Sequence, residues 1–333
     1  MLVPVPGFSE LPWRSRARAL GLAALQLGAS HLPVSFAIAL LPGAAHRRLR
    51  RLAAPLRVPL ARPRASIEVG RALAALADAR VPVALAPEVS IVVPTAGAVR
   101  WLELCLRAVA AFTRPGSYEV VVIDDATPDA GAVAAIVAAH PGARLARSDQ
   151  RRGFAASVNA GVALCRAGSI VVLNDDVVVT PGWLDALLAR LRADPRVAWV
   201  GPVSNDTGDE ASVGADYSTL EELLAFASRA SGPPREVEKL ALYCALLDRA
   251  AFETVGGLDQ GYRRGMFEDD DLAMALGARG KRVLLAPEVF VHHAAGTTLR
   301  ALSPFEYFAT FELNRRRFEQ RWQVRWRVRE GQA

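Results

Sequence analysis

Four acidic residues stand side by side in the last third of the chain, in the segment GMFEDDDLAMAL (265–276). They are Glu268, Asp269, Asp270 and Asp271, and an apolar stretch follows them directly. Neighbouring carboxylates repel one another, so such a run indicates a helix cap, a metal site or the base of a reaction. Helix capping accounts for one or two of the acids but not for four, which leaves a carboxylate available for chemistry.

A second set of acids follows two apolar runs, YEVVVIDD (118–125) and SIVVLNDD (169–176), each typical of a buried strand. Asn174 and Asp176 are two residues apart, so they can share one face of the strand end while Asp175 is directed away. Oxygen donors of this kind suit Mg²⁺ or Mn²⁺, which take their remaining ligands from water and phosphates. The alternative is a turn that only introduces the next helix.

The elements that would position these acids alternate along the chain. Between residues 89 and 202, strand-like runs alternate five times with helical ones, which predicts an α/β fold with a mainly parallel sheet flanked by helices. Ligands of such sheets bind beyond the carboxyl ends of the strands. The first strand, VSIVVPT (89–95), is followed by neither a dinucleotide-binding G-x-G-x-x-G nor a P-loop. A phosphate-bearing ligand therefore needs another partner, and a cation held by carboxylates is the obvious one.

Composition sets the broad class of protein. Hydrophobic residues make up 52% of the 333 residues and charged ones 22%, which excludes global disorder. The net charge of +6 is concentrated in arginines near both ends, which suits an anionic partner. A membrane surface is favoured over nucleic acid, because the N-terminal arginines flank an uncharged segment (19–45). That segment either spans the membrane, lies on it as a helical hairpin, or packs as a helical subdomain. Three scattered cysteines fit a reducing cytoplasm.

The motifs, taken together, resemble a known family. VSIVVPT, VVVIDDATPD, RRGFAASVNAG and VVLNDDVVVTPGWLDAL are similar to the nucleotide-sugar half of inverting family 2 glycosyltransferases of the GT-A fold, in particular the bacterial rhamnosyltransferase-like members. EDDDLAMAL and the later VFVHH resemble the acceptor half. The resemblance implies a Rossmann-like GT-A domain over 88–300, divided into a nucleotide-sugar half (88–202) and an acceptor half (203–300), with an N-terminal helical extension (1–87) and a basic C-terminal helix (301–333).

The resemblance assigns the nucleotide and metal contacts position by position. Pro94 and Thr95 match the first nucleotide-contacting loop, and Asp125 matches the acid that binds the base. Arg152 is either a phosphate contact or an exposed arginine. The predicted metal ligands match the family's D-x-D motif and its H-x-x-G motif; they are Asn174, Asp176 and His293. Asn174 is neutral, which predicts weaker affinity for free metal.

The same resemblance makes Asp269 the general base, with Glu268 and Asp271 completing the acceptor-side acidic motif. The predicted activity is transfer of a sugar from a UDP- or dTDP-sugar to a hydroxyl of a glycan or lipid-linked acceptor in cell-surface polysaccharide synthesis. The predicted cofactor is Mg²⁺ or Mn²⁺, and the predicted location is the inner face of the cytoplasmic membrane. Nucleic acid is not expected as a partner. The alternative is a non-catalytic subunit of a membrane assembly that binds a nucleotide sugar or glycan.

Overall fold

The computed structural model describes residues 65–207, 209–294 and 303–326, together with 7–13, 15, 16 and 19. Two compact units are present, and the larger comprises Pro63–Gly261 and Glu268–Ala295. The uncharged segment (19–45), for which a membrane association is predicted, lies outside the described residues except for Ala19. Among the helices that the structure describes, none is both long and apolar enough to cross a membrane.

The N-terminal extension predicted over residues 1–87 ends earlier in the structure, because residues 65–87 belong to the larger unit. Ala65 forms a parallel β-bridge with Tyr217. Farther along, Val81 donates its backbone N–H to the buried His140 imidazole at 3.1 Å and accepts from the Gly142 N–H at 2.9 Å. These long-range contacts join residues 65–87 to the rest of the larger unit.

The described residues of the larger unit form one nine-stranded sheet, in the order β3-β2-β1-β4-β8-β6-β9-β5, with β7 also paired to β9. The strands are β1 (Val89–Thr95), β2 (Tyr118–Asp125), β3 (Ala143–Ser148), β4 (Ser169–Leu173), β5 (Val177–Val178), β6 (Val197–Ser204), β7 (Arg235–Val237), β8 (Cys244–Asp248) and β9 (Arg282–His293). The helices of this unit are α1 (Val69–Ala75), α2 (Val99–Phe112), α3 (Ala130–Ala138), α4 (Phe154–Ala163), α5 (Trp183–Ala193), α6 (Leu220–Ala227), α7 (Arg249–Thr254) and α8 (Glu268–Gly277).

One half of the sheet is parallel, as the apolar runs predict. β1 pairs in parallel with both β2 and β4, and β2 pairs in parallel with β3. Every residue of β1 and β2 is buried. Their β-branched side chains pack on both faces of the sheet, where each buried valine or isoleucine stabilises the fold by about 1.5–3 kcal/mol.

The other half of the sheet is mixed. β8 lies between β4 and β6 and is antiparallel to both, whereas β9 is parallel to β6. Because β8 reverses the direction twice, β4, β6 and β9 all run the same way as β1 and β2. Their carboxyl ends therefore share one edge of the sheet, and β8 begins at that edge. The positions after these strands are the ones where ligands of α/β sheets bind.

Among the described residues of the smaller unit, the longest element is α9 (Pro304–Trp322), within the predicted basic helix over 301–333. Ser303 and Glu306 form a capping box at its start. The unit also contains Tyr262–Phe267, which fall inside the predicted acceptor half. The Asn314 amide donates to the carbonyls of this segment at 2.8 and 2.9 Å, which ties it to α9.

Candidate active site

The first group of acids forms a turn rather than the end of a strand. β4 stops at Leu173, and the Val177 N–H donates to the Asn174 carbonyl at 3.2 Å. Side-chain alternation ends with the strand, so the prediction that Asp175 is directed away from the site is wrong. Its carboxylate accepts a hydrogen bond from the Thr95 hydroxyl at 2.6 Å. Burial and the neighbouring Asp176 raise the pKa of Asp175.

Asp176 and His293 come together from distant parts of the chain. Asp176 Oδ1 lies 3.3 Å from His293 Nε2, and Asp176 is 3% exposed. The opposite ring nitrogen, Nδ1, donates to the Asp206 carbonyl at 2.8 Å, and the Tyr243 ring stacks on the imidazole at 5.3 Å. Burial lowers the pKa of His293, but the Asp176 carboxylate and the hydrogen bonds outweigh it, so the pKa is raised. The imidazole is held with Nε2 directed at the carboxylate.

His292 faces the opposite side of β9. Its Nδ1 bonds to the Tyr217 hydroxyl at 2.8 Å, and its ring stacks on Trp101 at 5.9 Å. Burial lowers the pKa of His292 to about 3, so this histidine is neutral. Alternation along the strand thus places the two histidines on opposite sides of β9, and the role of His293 as a ligand stays a prediction.

The residues present fit a divalent cation in part. A buried carboxylate and an imidazole are suitable donors for Mn²⁺ or Mg²⁺. However, nowhere in the described ranges do three His, Cys, Asp or Glu side chains form a metal-binding group. The pair Asp176–His293 therefore suits a cation whose remaining positions are filled by substrate phosphates and water. Asn174 is anchored through its backbone N–H, which donates to the Tyr243 carbonyl at 2.9 Å. Its role as a ligand stays a prediction.

The residues predicted to contact the nucleotide lie on two neighbouring strands. Pro94 and Thr95 are the last two residues of β1, so they belong to a buried strand and not to a loop. Asp125 ends β2, and its two oxygens accept from the backbone N–H groups of Arg152 and Gly153 at 2.7 and 2.9 Å. In the structure Asp125 thus holds the loop that precedes α4.

Arg152 projects its side chain into solvent, and its guanidinium makes no hydrogen bond within the part of the chain that is described. Gly153 follows with φ of 92°, a conformation that favours glycine and lets both amides reach Asp125. Asp124 accepts from the Thr127 N–H at 2.8 Å and pairs with Arg147, so both of its carboxylate oxygens are engaged within the protein. Base binding by Asp125 and phosphate binding by Arg152 remain predictions.

The acidic motif forms the first turn of α8, which begins at Glu268. Glu268 and Asp271 are 6% and 2% exposed, and Asp269 and Asp270 are half-buried. Solvated capping residues would stand in water, so capping alone does not explain the cluster. Burial raises the pKa of Asp269 far above its usual range, Lys239 opposes this shift, and Asp270 adds to it. Burial and the Asp269 charge raise the pKa of Glu268 as well.

Several functional neighbours were not found from the sequence. Lys239, just before β8, pairs with Asp270. Asp209 accepts from the Ala241 N–H at 2.7 Å and contributes to the raised pKa of Lys239. The sequence feature that could have drawn attention to Lys239 is its rarity, because it is one of two lysines among 40 basic residues. Asp206 and Tyr243 contact His293, and Asp209 and Lys239 lie between this pair and the acids of α8.

Two sequence comparisons define the class of the protein. The family model described as Glycosyl transferase family 2 matches residues 90–256, half of the chain. An N-acetylglucosaminyl-diphospho-decaprenol L-rhamnosyltransferase of Mycobacterium tuberculosis is 30% identical over 220 residues, which cover 57% of this chain and 70% of the relative. The chain therefore belongs to glycosyl transferase family 2. The predicted family and enzyme class, the glycosyltransferases, are confirmed.

Further similarities are more distant. An uncharacterized protein of Sinorhizobium fredii is 25% identical over 226 residues, 63% of this chain but only a quarter of that protein. The crystal structure of GalNAc-T7 with UDP, GalNAc and Mn²⁺ has a TM-score of 0.51 and 18% identity, and the match covers 63% of this chain and 44% of that one. This likeness supports the GT-A fold alone, which confirms the predicted fold class.

Proposed function

We propose that the protein is an inverting glycosyltransferase that moves a sugar from a UDP- or dTDP-sugar to a hydroxyl of a lipid-linked acceptor. The observation that supports this proposal is a series of neighbouring side chains between the two acidic groups. It runs from the Asp176–His293 pair through Tyr243 and Asp209 to Lys239 and Asp270. Asp175, held by Thr95, is next to Asp176 in the turn, and Asp269 is next to Asp270 on α8. The mycobacterial relative, by its name, supports L-rhamnose as the sugar and a polyprenyl diphosphate sugar as the acceptor.

The proposed reaction is a single displacement. The acceptor hydroxyl gives its proton to the Asp269 carboxylate while its oxygen bonds to the anomeric carbon of the donor sugar. The bond from that carbon to the nucleoside diphosphate breaks on the opposite face, so the configuration inverts. Burial raises the pKa of Asp269 toward neutral pH, which makes this carboxylate a better base than a solvated one.

Asp176 and His293 are the residues that would hold Mg²⁺ or Mn²⁺. When bound there, the cation supplies positive charge against the charge that develops on the departing diphosphate. The protein's own part is orientation. The Asp206 carbonyl and the Tyr243 ring fix the His293 imidazole, and the Thr95 hydroxyl fixes Asp175.

A membrane-bound acceptor requires the protein to work at a membrane surface. We propose the inner face of the cytoplasmic membrane, in cell-surface polysaccharide synthesis. Exposed arginines near the end of α9, among them Arg317 and Arg325, support attraction to anionic lipids. Sedimentation with phosphatidylglycerol vesicles at low and high salt measures this attraction, and salt-independent or absent binding would contradict it.

The experiment that tests the proposal is a thermal-shift screen of UDP, dTDP and GDP, each with and without Mn²⁺. A nucleoside diphosphate that binds through the cation should raise the melting temperature more with Mn²⁺ than either component does alone. Incubation with dTDP-L-rhamnose and UDP-sugars, with a diphosphoryl-lipid-linked N-acetylglucosamine as acceptor, then measures transfer. Absence of any stabilisation by nucleotides would overturn the proposed donor class.

A second function is favoured by a specific observation. The first position of the metal motif is the neutral Asn174, and no three-ligand metal group is present among the described residues. A non-catalytic subunit that binds a nucleotide sugar or glycan would need no stronger site. The release of nucleoside diphosphate separates the two candidates, because a binding subunit is stabilised by the nucleotide sugar and releases none.

A further inference from the structure

The side chain of Lys239, from another part of the chain, lies against the acidic motif of α8. Lys239 pairs with Asp270, and the two side chains are only 17% and 13% exposed. Lys239 is one of only two lysines among the 40 lysine and arginine residues of the chain, and the remaining 38 are arginines. An ammonium group is a compact charge that can face several carboxylates at once, whereas a planar guanidinium favours one carboxylate in a fixed geometry.

The charged groups around Asp269 come from three segments. Lys239 precedes β8, Asp209 lies in the loop after β6, and Glu268 and Asp270 flank Asp269 on α8. Burial lowers the pKa of Lys239, but the carboxylates of Asp269, Asp270 and Asp209 raise it overall. The lysine is therefore charged, and it brings a positive charge to the cluster.

The acids of the motif differ in what they can do. The Glu268 Oε2 atom is buried and has no hydrogen-bond partner within the described residues, and burial raises the pKa of this side chain. A neutral, protonated Glu268 is consistent with both facts. Asp270 is engaged by the lysine, and its backbone N–H donates to Asp269 Oδ1 at 2.8 Å. Asp269 is left with one carboxylate oxygen that the Asp270 amide does not hold.

We propose that Lys239 is a positioning residue for the general base: by pairing with Asp270, it keeps Asp269 ionised and oriented toward the acceptor. This inference rests on the proposed function, in which Asp269 takes the acceptor proton. Without the lysine, Asp270 would stand as an uncompensated charge beside Asp269. The base would then hold its proton to higher pH, and a smaller fraction of it would be ionised at neutral pH.

The test measures the ionisation of Asp269 directly and needs no substrate. Protein labelled with ¹³C at the aspartate carboxyl carbons is titrated by NMR, and the Asp269 signal is identified by its loss in Asp269→Asn. In Lys239→Met the Asp269 midpoint should rise by about one pH unit, as expected for loss of a nearby opposite charge. Lys239→Arg, which keeps the charge, should stay within about half a unit of the wild type.

The matched variants make the result specific. In Asp270→Asn the midpoint should fall, because a repelling carboxylate is removed while the lysine stays. In Lys239→Met with Asp270→Asn the midpoint should return to within about half a unit of the wild type, because both opposing charges are gone. If Lys239→Met does not fold, the Asp269 midpoints of Asp270→Asn and of the double variant test the inference instead.

An Asp269 midpoint that is the same in the wild type, Lys239→Met and Asp270→Asn would overturn the inference. The proposed function fails on a different observation, namely full sugar transfer by Asp269→Asn, so the two failures are distinguishable. A purely structural lysine would change the melting temperature and leave the midpoint in place. Where transfer is measurable, kcat/KM of Lys239→Met should fall about fivefold at pH 7 and recover at higher pH.

Discussion

The two acidic groups of this protein occupy the same edge of the sheet but are compensated differently. In the turn after β4, Asp175 accepts from a hydroxyl, that of Thr95, and Asp176 faces an imidazole, that of His293. In the first turn of α8, Asp270 is paired with the ammonium of Lys239. Within the described residues, the turn is contacted by a hydroxyl and an imidazole, and the first turn of the helix is contacted by a lysine.

This difference suggests separate roles for the two regions. The turn after β4 is suited to binding a cation, and the first turn of α8 is suited to accepting a proton. Carboxylates beside a hydroxyl and an imidazole offer oxygen donors of the kind that a divalent cation prefers. A carboxylate beside a buried lysine stays ionised at a pH where the same buried acid alone would be protonated. The comparison therefore predicts that cation binding depends on the turn and that proton transfer depends on the helix.

The largest effect is expected at the helix. Asp269→Asn removes the base and should lower the rate of sugar transfer by about a thousandfold, within the range for loss of a general base. Nucleotide binding, measured by calorimetry with UDP and Mn²⁺, should change less than twofold, since the turn is intact. Transfer at the wild-type rate would show that another group takes the proton.

A smaller loss is expected at the turn. Asp176→Asn should lower transfer by about a hundredfold, because it removes a charge that the cation would need. It should also abolish the additional stabilisation that Mn²⁺ confers in the presence of UDP. His292→Gln is the control, since that side chain faces Trp101 and Tyr217, and its Mn²⁺ response should remain. An unchanged Mn²⁺ response in Asp176→Asn would remove the turn from the cation site.

The pH dependence of activity should follow the ionisation of Asp269 on α8 and not that of the carboxylates in the turn after β4. Burial raises the pKa of Asp269, and the base must be ionised, so kcat/KM should rise tenfold per unit with pH until Asp269 is deprotonated. The effect on stability has the opposite sign. The folded state binds more protons than the unfolded state between the two pKa values, so the free energy of unfolding falls as pH rises there. A kcat/KM that is constant from pH 5 to pH 8 would contradict the assignment.

The smallest effect is expected from the hydroxyl that supports the turn. Thr95→Val removes the donor to Asp175 while keeping the shape of the side chain. The nucleotide should bind about fivefold more weakly with Mn²⁺ present, equivalent to the ~1 kcal/mol of one hydrogen bond. Thr95→Ser, which keeps the hydroxyl, should bind within about twofold of the wild type by calorimetry. Equal affinities for the valine and serine variants would show that the hydrogen bond does not support the site.

Local pattern predicts the parallel half of the molecule well. The runs at 89–95 and 118–125 have the same bounds as β1 and β2. The predicted run at 169–176 extends three residues beyond β4, which ends at Leu173. This small difference changes the chemistry, because the last three residues form a turn and Asp175 joins the site.

The mixed half of the sheet was not predictable in the same way. β8 is five residues long and lies between β4 and β6, although it follows both in the sequence. No local signal encodes which neighbours a short apolar strand will choose, since that choice depends on the packing of the whole sheet. The position of Lys239, and hence its ion pair with a residue 31 positions away, follows from that choice.

The sequence by itself determined the family, the α/β alternation, and the two acidic motifs at strand and helix ends, because these depend on residue type and short-range spacing. Only the tertiary structure decided which side chains face one another. The pairing of Asp176 with His293, of Asp175 with Thr95, and of Asp270 with Lys239 joins residues that are far apart in the chain. Each charge acquires its pKa from burial and from such partners, and both arise only when the sheet brings its strands together.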